Sequence, residues 1–364
     1  MKISRVSYRR RAAWELDNDV LRVTLLAGGG HIARVVLHGR EEVNPLWQTP
    51  WPTYEPWAVT PRIEKQYGSR LLAGIAGHNL CLGWFGDPSA EETRAGMGCH
   101  GEAPVARWRR VSQRVARNRL QLVLACDLPA AQMRVTRTLT MLPDECNVRV
   151  CDTVQNMSRR DLPYTLCQHV TIGPPFLDPG VTVVDMPATT GHTFPGVFSV
   201  RQRLKADASF AWPRGPGAKG GAVDLRRLGT RASSDFSAQL IDPRREHAWV
   251  SALNPKLGLM LAYVWRREDY PWVGNWEENR ARRSAPWNGR TLARGLEFAN
   301  TPFPVSLRAA VDRGTFQGQK TFRWLPARCK LSTECMMLLL PVPTDVEGVE
   351  DIRPVTGGFE VDLR

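Results

Sequence analysis

The feature that most constrains the fold of this chain is a succession of short segments in which apolar and polar residues alternate. Residues 20–26 alternate and lead through a glycine turn at 28–30 into the apolar segment 31–37. A period of two places every second side chain on the same face, as in a half-buried β-strand. The segments 120–125 and 133–140 repeat this pattern and predict neighbouring antiparallel strands.

Further along the chain the same pattern recurs, and helical periodicity is weak. Apolar or alternating segments that predict more strands lie at 147–154, 257–264 and 336–340. Residues 91–96 predict a single helical turn, and 27 prolines and 30 glycines are frequent enough to separate short strands throughout. We therefore predict an all-β protein built from large stacked antiparallel sheets, with residues 1–364 forming a single domain.

Composition narrows the class of protein. Hydrophobic residues make up 43% of the 364 positions, which is enough for a buried core. No apolar segment approaches the roughly 18 residues of a membrane span, and the first 20 residues lack the apolar region of a signal peptide. Eight cysteines without metal-binding spacing indicate reduced thiols. The expectation is a cytoplasmic protein without a membrane partner.

The formal net charge is +13, and arginine supplies most of it. Seven of the 49 basic residues are lysines, which leaves 42 arginines spread along the chain. Because no basic tract or nucleic-acid-binding module is present, we predict no nucleic-acid partner. Two interpretations stay open: a general preference for arginine, or a positive field that attracts an anionic substrate such as a sugar acid or sugar phosphate.

Two predicted loops, residues 45–62 and 270–290, contain six of the 13 tryptophans. Tryptophan faces pack well on the C–H faces of sugar rings, although loops that fold back over the sheets would also account for them. In the second loop, Trp276 and Glu277 are candidate substrate contacts, and ion pairs with the arginines around position 282 are the alternative for Glu277. Residues 214–221 predict a flexible tip.

Three separated segments carry side chains suited to proton transfer. They are Cys99-His100-Gly101-Glu102, Gln168-His169 and Gly295-Leu296-Glu297-Phe298. In a strand, His100 and Glu102 would point the same way. Glu297 lies between apolar neighbours, so desolvation would raise its pKa and suit it to act as a general base. The alternative for Glu297 is an ion pair with Arg294.

Other motifs near His100 do not support a bound cofactor. Residues 96–101 spell GxGxxG, but they neither follow a predicted strand nor open a helix, which excludes a dinucleotide site. His100 and Glu102 match half of a zinc deaminase signature, whose Pro-Cys-x-x-Cys half is missing. We assign no metal site, and the question of a metal at His100 and Glu102 stays open.

Taken in order, several segments resemble the galactose mutarotase-like (aldose 1-epimerase) superfamily over roughly residues 20–340. The segments are Ala27–Ala33 with Asn44-Pro45-Leu46-Trp47, Tyr67-Gly68-Ser69-Arg70, Cys99–Glu102, Gln168–Phe176 and Gly295–Phe298. The motifs are short, and 168–176 lacks the family's usual His-Pro-Tyr-Phe. An insertion-like segment, 77–98, also departs from the family pattern. The resemblance is to an uncharacterised branch.

The resemblance implies a β-supersandwich with a sugar-binding groove and an aldose 1-epimerase-like activity that needs no cofactor. Glu297 would act as the base and His169 as the acid, while His100 and Arg70 would hold the sugar. Further contacts would come from Glu102, Gln168, Trp276 and Glu277. The expected partner is a monosaccharide or a sugar derivative, including an acidic one, bound by a monomer or homodimer. A non-catalytic sugar-binding protein and an isomerase or lyase acting on an oxidised sugar are the alternatives.

Overall fold

Strands form where apolar and polar residues alternate along the chain. The computed structural model describes residues 1–364. Leu21–Leu26 and Ile32–Leu37 pair across the predicted glycine turn. Arg119–Leu128 and Met133–Met141 are antiparallel neighbours. The predicted helical turn forms the short helix Ala90–Arg94.

The chain contains 26 strands and three short helices. The strands are β1 Lys2–Tyr8, β2 Arg11–Asp17, β3 Leu21–Leu26, β4 Ile32–Leu37, β5 His78–Gly83, β6 Arg109–Ala116, β7 Arg119–Leu128, β8 Met133–Met141, β9 Asn147–Asn156, β10 Leu162–Ile172, β11 Val183–Asp185, β12 Ala188–Thr193, β13 Ser209–Ala211, β14 Arg214–Pro216, β15 Ala222–Asp224, β16 Ser233–Ile241, β17 His247–Asn254, β18 Leu259–Arg266, β19 Trp272–Asn279, β20 Leu292–Ala299, β21 Thr315–Phe316, β22 Gln319–Lys320, β23 Arg323–Leu325, β24 Lys330–Pro341, β25 Val349–Val355 and β26 Gly358–Leu363. The helices are α1 Pro61–Tyr67, α2 Ala90–Arg94 and α3 Leu307–Arg313. None of them has the length and apolar character needed to cross a bilayer.

Two large antiparallel sheets dominate the structure. The twelve-stranded sheet runs β1-β2-β3-β4-β5-β10-β20-β19-β16-β12-β13, with β23 paired to β10. The eight-stranded sheet runs β11-β17-β18-β24-β9-β8-β7-β6. A core of 55 buried residues, contributed by strands of both sheets, holds them together. The predicted all-β architecture of stacked antiparallel sheets is confirmed.

A second core covers the opposite face of the twelve-stranded sheet. Its 19 buried residues include Trp47 and Trp51 from the first predicted loop and Trp276 and Trp287 from the second. The rings of Trp47 and Trp287 stack with centroids 6.2 Å apart, and Trp51 meets Trp287 edge-on at 5.3 Å. The first loop therefore folds back over the sheet, and its buried tryptophans are explained by packing.

Two predictions about irregular segments are wrong. The predicted loop 270–290 contains β19, an inner strand of the twelve-stranded sheet. The predicted tip 214–221 begins with β14, which pairs with β15. The insertion-like segment 77–98 contains β5, which lies between β4 and β10 near the middle of the sheet. In β5 and β19 every residue is buried, so neither strand shows an alternation that would reveal it.

Candidate active site

The face of the twelve-stranded sheet that carries the second core brings His169 of β10 and Glu297 of β20 together. The two residues are directly opposite each other in the strand ladder, and His169 Nε2 lies 3.2 Å from Glu297 Oε1. On its other side, Glu297 is paired with Gly274 of β19. Because Gly274 has no side chain, the Phe236 ring packs over it, and a Cβ at Gly274 would lie 2.8 Å from that ring and 3.3 Å from Glu297 Cβ.

The position of the Glu297 carboxylate requires a glycine at position 295, two residues earlier on the strand. Residues two apart on a strand point to the same face, so Gly295 lies directly beside the Glu297 side chain. A Cβ added at Gly295 would lie 2.2 Å from Glu297 Oε1 and 3.0 Å from Trp276 Cβ. The Gly-Leu-Glu spacing in the sequence therefore creates room for the carboxylate to fold back over the strand.

His100 approaches this pair from a loop between α2 and β6. Its imidazole centroid lies 4.8 Å from that of His169, and its Nδ1 donates a hydrogen bond to the Phe85 carbonyl. The backbone at His100 is left-handed, with φ of 63°, which costs a non-glycine residue roughly 1–2 kcal/mol. The next residue, Gly101, permits close approach to β5, since a Cβ there would lie 2.4 Å from the Leu82 oxygen.

Burial shifts the pKa values of the paired acid and base in opposite directions. Burial, and then the charge of His100, lower the pKa of His169 well below its ordinary value. Burial raises the pKa of Glu297 well above its ordinary value, and the charge of His100 offsets only part of that rise. For His100 itself burial lowers the pKa, but the neighbouring Cys99 and Cys81 sulfurs raise it, and the net shift is upward.

A cavity of about 510 Å³ opens above these three residues and is called the groove here. Trp276, Trp287 and Phe198 line it together with Arg282. The Arg282 guanidinium lies 4.9 Å from the Trp287 ring centroid and 5.6 Å from that of Trp276. Buried Glu278 supports Arg282, with 3.3 Å between Glu278 Oε2 and Arg282 Nε. The Trp276 indole N–H has no hydrogen-bond partner within the protein.

Two predicted substrate contacts point away from the groove. Gln168 lies beside His169 on β10, but its amide is buried between the sheets, where it hydrogen-bonds His78, Arg137 and Asp152. Glu277 is also turned to the opposite face of its strand. There its carboxylate forms an ion pair with Arg203 at 2.5 Å. Neighbouring residues on a strand alternate between faces, so only His169 and Trp276 of these pairs can face the groove.

Two other predicted contacts line an adjacent cleft. Arg70 is half exposed and lies 3.6 Å from Glu64 across an ion pair. The Glu102 carboxylate accepts a hydrogen bond from the Ala131 backbone amide at 2.8 Å. His100 and Glu102 lie in a turn rather than a strand, and they line different cavities, His100 the groove and Glu102 the adjacent cleft. The residues of this region form no group of three or more metal-binding side chains.

Neither of the ion pairs predicted as alternative roles for Glu297 and Glu277 forms, since Glu277 pairs with Arg203 and Arg282 pairs with Glu278. Arg294 is buried on the opposite face of β20 from Glu297 and hydrogen-bonds Asn275 and two backbone carbonyls. Arg282 lines the groove, although the sequence predicts for it only an ion pair with a neighbouring carboxylate. No local pattern distinguishes it from its neighbours Arg280 and Arg283, because its position depends on buried Glu278, which accepts from the Ala281 and Arg282 amides.

A family model identifies the family of this chain. A family model described as "Domain of unknown function (DUF4432)" matches residues 35–303. A search of curated proteins finds no match to the sequence.

Solved structures share the fold at low sequence identity. A Klebsiella pneumoniae protein provisionally named an aldose 1-epimerase has a TM-score of 0.69 at 12% identity, covering 94% of this chain and 84% of its own. A galactose mutarotase-like protein from Clostridium acetobutylicum has a TM-score of 0.63 at 11% identity, covering 94% and 99%. A galactose mutarotase related enzyme from Lactobacillus acidophilus has a TM-score of 0.55 at 12% identity, covering 91% and 98%. The galactose mutarotase-like fold is therefore confirmed.

Proposed function

We propose that this chain, which belongs to the DUF4432 family, binds a sugar in the groove and interconverts its two anomers by general acid–base catalysis. The observation that carries the proposal is the direct contact between His169 and Glu297 on the floor of a partly aromatic cavity. The anomeric hydroxyl and the ring oxygen of a cyclic sugar are bonded to the same carbon. An acid and a base that serve both atoms must therefore be neighbours.

In this mechanism Glu297 accepts the proton of the anomeric hydroxyl while His169 donates a proton to the ring oxygen. The bond between the anomeric carbon and the ring oxygen breaks, and the anomeric oxygen becomes that of an aldehyde. After rotation about the adjacent C–C bond, the former ring oxygen attacks the other face of the carbonyl. The two protons return to their starting positions, so the reaction is balanced and needs no cofactor.

The burial of the pair suits this exchange. In water a carboxylate and an imidazolium are favoured over a carboxylic acid and an imidazole by roughly two pKa units. Burial raises the pKa of Glu297 and lowers that of His169, so relative to water it favours the uncharged arrangement of the pair. Ring opening moves the pair from the charged arrangement to the uncharged one, which is the change that burial favours.

The remaining groove residues have binding roles in this proposal. His100 stands beside His169 with its Nδ1 fixed by the Phe85 carbonyl, and it lines the groove, where it is placed to contact a sugar oxygen. Trp276 lines the cavity with its indole ring. Aromatic faces pack against the C–H faces of a pyranose, which is the role proposed for Trp276.

Saturation-exchange NMR between the anomeric protons of a sugar panel tests the proposal. We expect the wild-type protein to accelerate exchange of at least one sugar, and Glu297→Gln to reduce that acceleration by about 10²–10⁴-fold because the base is lost. Glu350→Gln, on an exposed position of β25, is the matched control and should retain the wild-type rate. Binding without exchange by the wild-type protein would instead favour a non-catalytic sugar-binding protein.

A further inference from the structure

The groove continues into a larger cavity that the proposed chemistry does not use. Ser69, Leu71 and Cys99 line both the groove and a neighbouring cleft of about 880 Å³. This second cavity is called the arginine cleft. The groove and the arginine cleft therefore adjoin at these three residues.

The lining of the arginine cleft is strongly basic. Five arginines face three carboxylates: Arg70, Arg107, Arg109, Arg110 and Arg134 against Glu64, Glu102 and Asp127. All three carboxylates already have partners, namely Arg70 at 3.6 Å, the Ala131 amide at 2.8 Å and Arg134 at 3.3 Å, respectively.

Three of the five arginines are left without an ion pair in the cleft. Arg107, Arg109 and Arg110 form no salt bridge, and all three are exposed. The Arg110 Nη1 donates only to the neutral amide of Gln113, at 2.7 Å. Guanidinium groups in this state retain their capacity for two-pronged hydrogen bonding to a carboxylate.

Beyond the cleft, the same arginines border an exposed tryptophan. Arg107, Arg109 and Arg110 also line a small pocket of about 270 Å³ together with Trp57. Trp57 is 47% exposed, and the Arg107 guanidinium lies 4.8 Å from its ring centroid. Among the tryptophans of the first predicted loop, this one is not explained by packing into the second core. An exposed indole beside cations suits a ring that carries a negative charge.

We propose that the groove, the arginine cleft and the Trp57 pocket form one extended site for an acidic oligosaccharide bearing carboxylates. The inference rests on the proposed function and deepens it by naming the substrate class. The reducing-end residue lies in the groove, the only place where a free anomeric hydroxyl is needed. The following residues lie in the arginine cleft, where Arg107, Arg109 and Arg110 bind their carboxylates, and a further ring packs on Trp57.

The unpaired arginines of the cleft favour an acidic oligosaccharide over a single neutral sugar. A neutral hexose needs no unpaired cations beyond the groove. A chain of sugar acids presents a carboxylate on each ring, so successive carboxylates can each bind an arginine along the cleft. Binding of this kind releases counterions and weakens as salt concentration rises.

The arginines of this region have one structural alternative, which the test separates. β6 is the last strand of the eight-stranded sheet, and charged side chains on an edge strand prevent pairing with another chain. If edge protection were their only role, arginines anywhere along the strand would be equivalent. Arg114 on β6 and Arg117 in the following turn lie outside the cleft, so they provide the matched control.

Calorimetric titration with trigalacturonate, galacturonate and maltotriose tests the inference on the full-length protein. We expect trigalacturonate to bind at least about tenfold more tightly than galacturonate or maltotriose, an advantage that declines with added salt. Arg107→Gln/Arg110→Gln should remove this advantage, whereas Arg114→Gln/Arg117→Gln should keep it. Thermal unfolding of both variants checks that they remain folded.

Three outcomes would overturn the inference. The first is equal affinity for the three probes. The second is an equal loss of affinity in both double variants, which would leave edge protection as the role of the arginines. The third is equally tight binding of single-stranded oligonucleotides, which would identify a general polyanion site. Failure of the proposed function is distinguishable, because it would appear as absent anomer exchange on every sugar, whatever the pattern of affinities.

Discussion

At the scale of single residues, the candidate site depends on two side chains that change each other's chemistry. His169 and Glu297 are 128 positions apart in sequence, yet they are opposite each other on adjacent strands. Both are almost fully buried, with 5% and 3% of their side chains exposed. A buried carboxyl and a buried imidazole are each costly when charged alone, so contact between them links the protonation of one to that of the other.

Gly295→Ala tests the space that the Glu297 carboxylate occupies. The added methyl group would overlap Glu297 Oε1, so we expect the carboxylate to move away from His169 and the anomer exchange rate to fall by about 10²-fold. NMR exchange with the substituted protein measures this. Gly358→Ala is the control, since a Cβ at Gly358 meets no atom within 4 Å. An unchanged rate in Gly295→Ala would show that the carboxylate position does not matter.

At the scale of elements, the site is built where strands are buried on both faces. β10, β19 and β20 lie side by side, and nearly every residue in them is buried. One face of each strand packs toward the eight-stranded sheet and the other toward the aromatic core. His169, Trp276 and Glu297 therefore sit on rigid, doubly covered strands, whereas the groove residues His100, Phe198, Arg282 and Trp287 come from loops.

This double burial limits what the sequence alone could predict. β8 alternates between buried and less buried positions, and the sequence predicts its bounds within one residue. In β10 the residues on both faces are buried, so no alternation shows whether Gln168 or His169 faces the groove. The same ambiguity applies to Trp276 and Glu277. A shift of one residue exchanges the two faces, which is why one member of each predicted pair is misplaced.

Two buried histidines on or beside strands of the twelve-stranded sheet make the free energy of unfolding depend on pH. Burial lowers the pKa of His31 to about 4 and that of His78 to about 3. The unfolded chain binds protons with pKa values near 6.5, so their stabilising contribution is complete above pH 6.5 and is lost as the pH falls toward these lower values. At pH 5 the loss is about 2 kcal/mol for each histidine.

Urea unfolding at pH 7 and pH 5 measures this contribution. The wild-type free energy of unfolding should fall between the two pH values, and His78→Gln should show a smaller fall because one of the two groups is removed. His247→Gln, at the partly exposed start of β17, should keep the wild-type difference. An identical pH dependence in His78→Gln would contradict a neutral buried imidazole at position 78.

At the scale of the whole molecule, a buried polar network joins the two large sheets behind the site. Arg137 of β8 and Asp152 of β9 form a fully buried ion pair at 2.8 Å. Both hydrogen-bond Gln168 of β10, at 3.0 Å and 2.8 Å. The Gln168 carbonyl also accepts from His78 Nε2 on β5. Because Gln168 is adjacent to His169, the network fixes the strand that carries the proposed acid.

Gln168→Leu distinguishes this role from the predicted substrate contact. Leucine cannot replace the hydrogen bonds, so we expect a loss of about 1–3 kcal/mol for each buried polar group left without a partner. Urea unfolding measures the loss, and sugar titration of the folded variant should show an affinity close to wild type. Gln155→Leu, on a partly exposed position of β9, should unfold with nearly the wild-type free energy. Lost sugar affinity with unchanged stability would restore Gln168 as a contact.

The central claim is that His169 and Glu297 act as one proton-exchanging unit, and a double-mutant cycle on anomer exchange tests it most directly. Exchange rates are measured by NMR for the wild type, His169→Asn, Glu297→Gln and the double variant with the best sugar. Residues that act as a unit are strongly non-additive. The account predicts that each single variant loses about 10²–10⁴-fold and that the double variant is little slower than either. Single losses that multiply in the double variant, or variants that exchange as fast as the wild type, would contradict it.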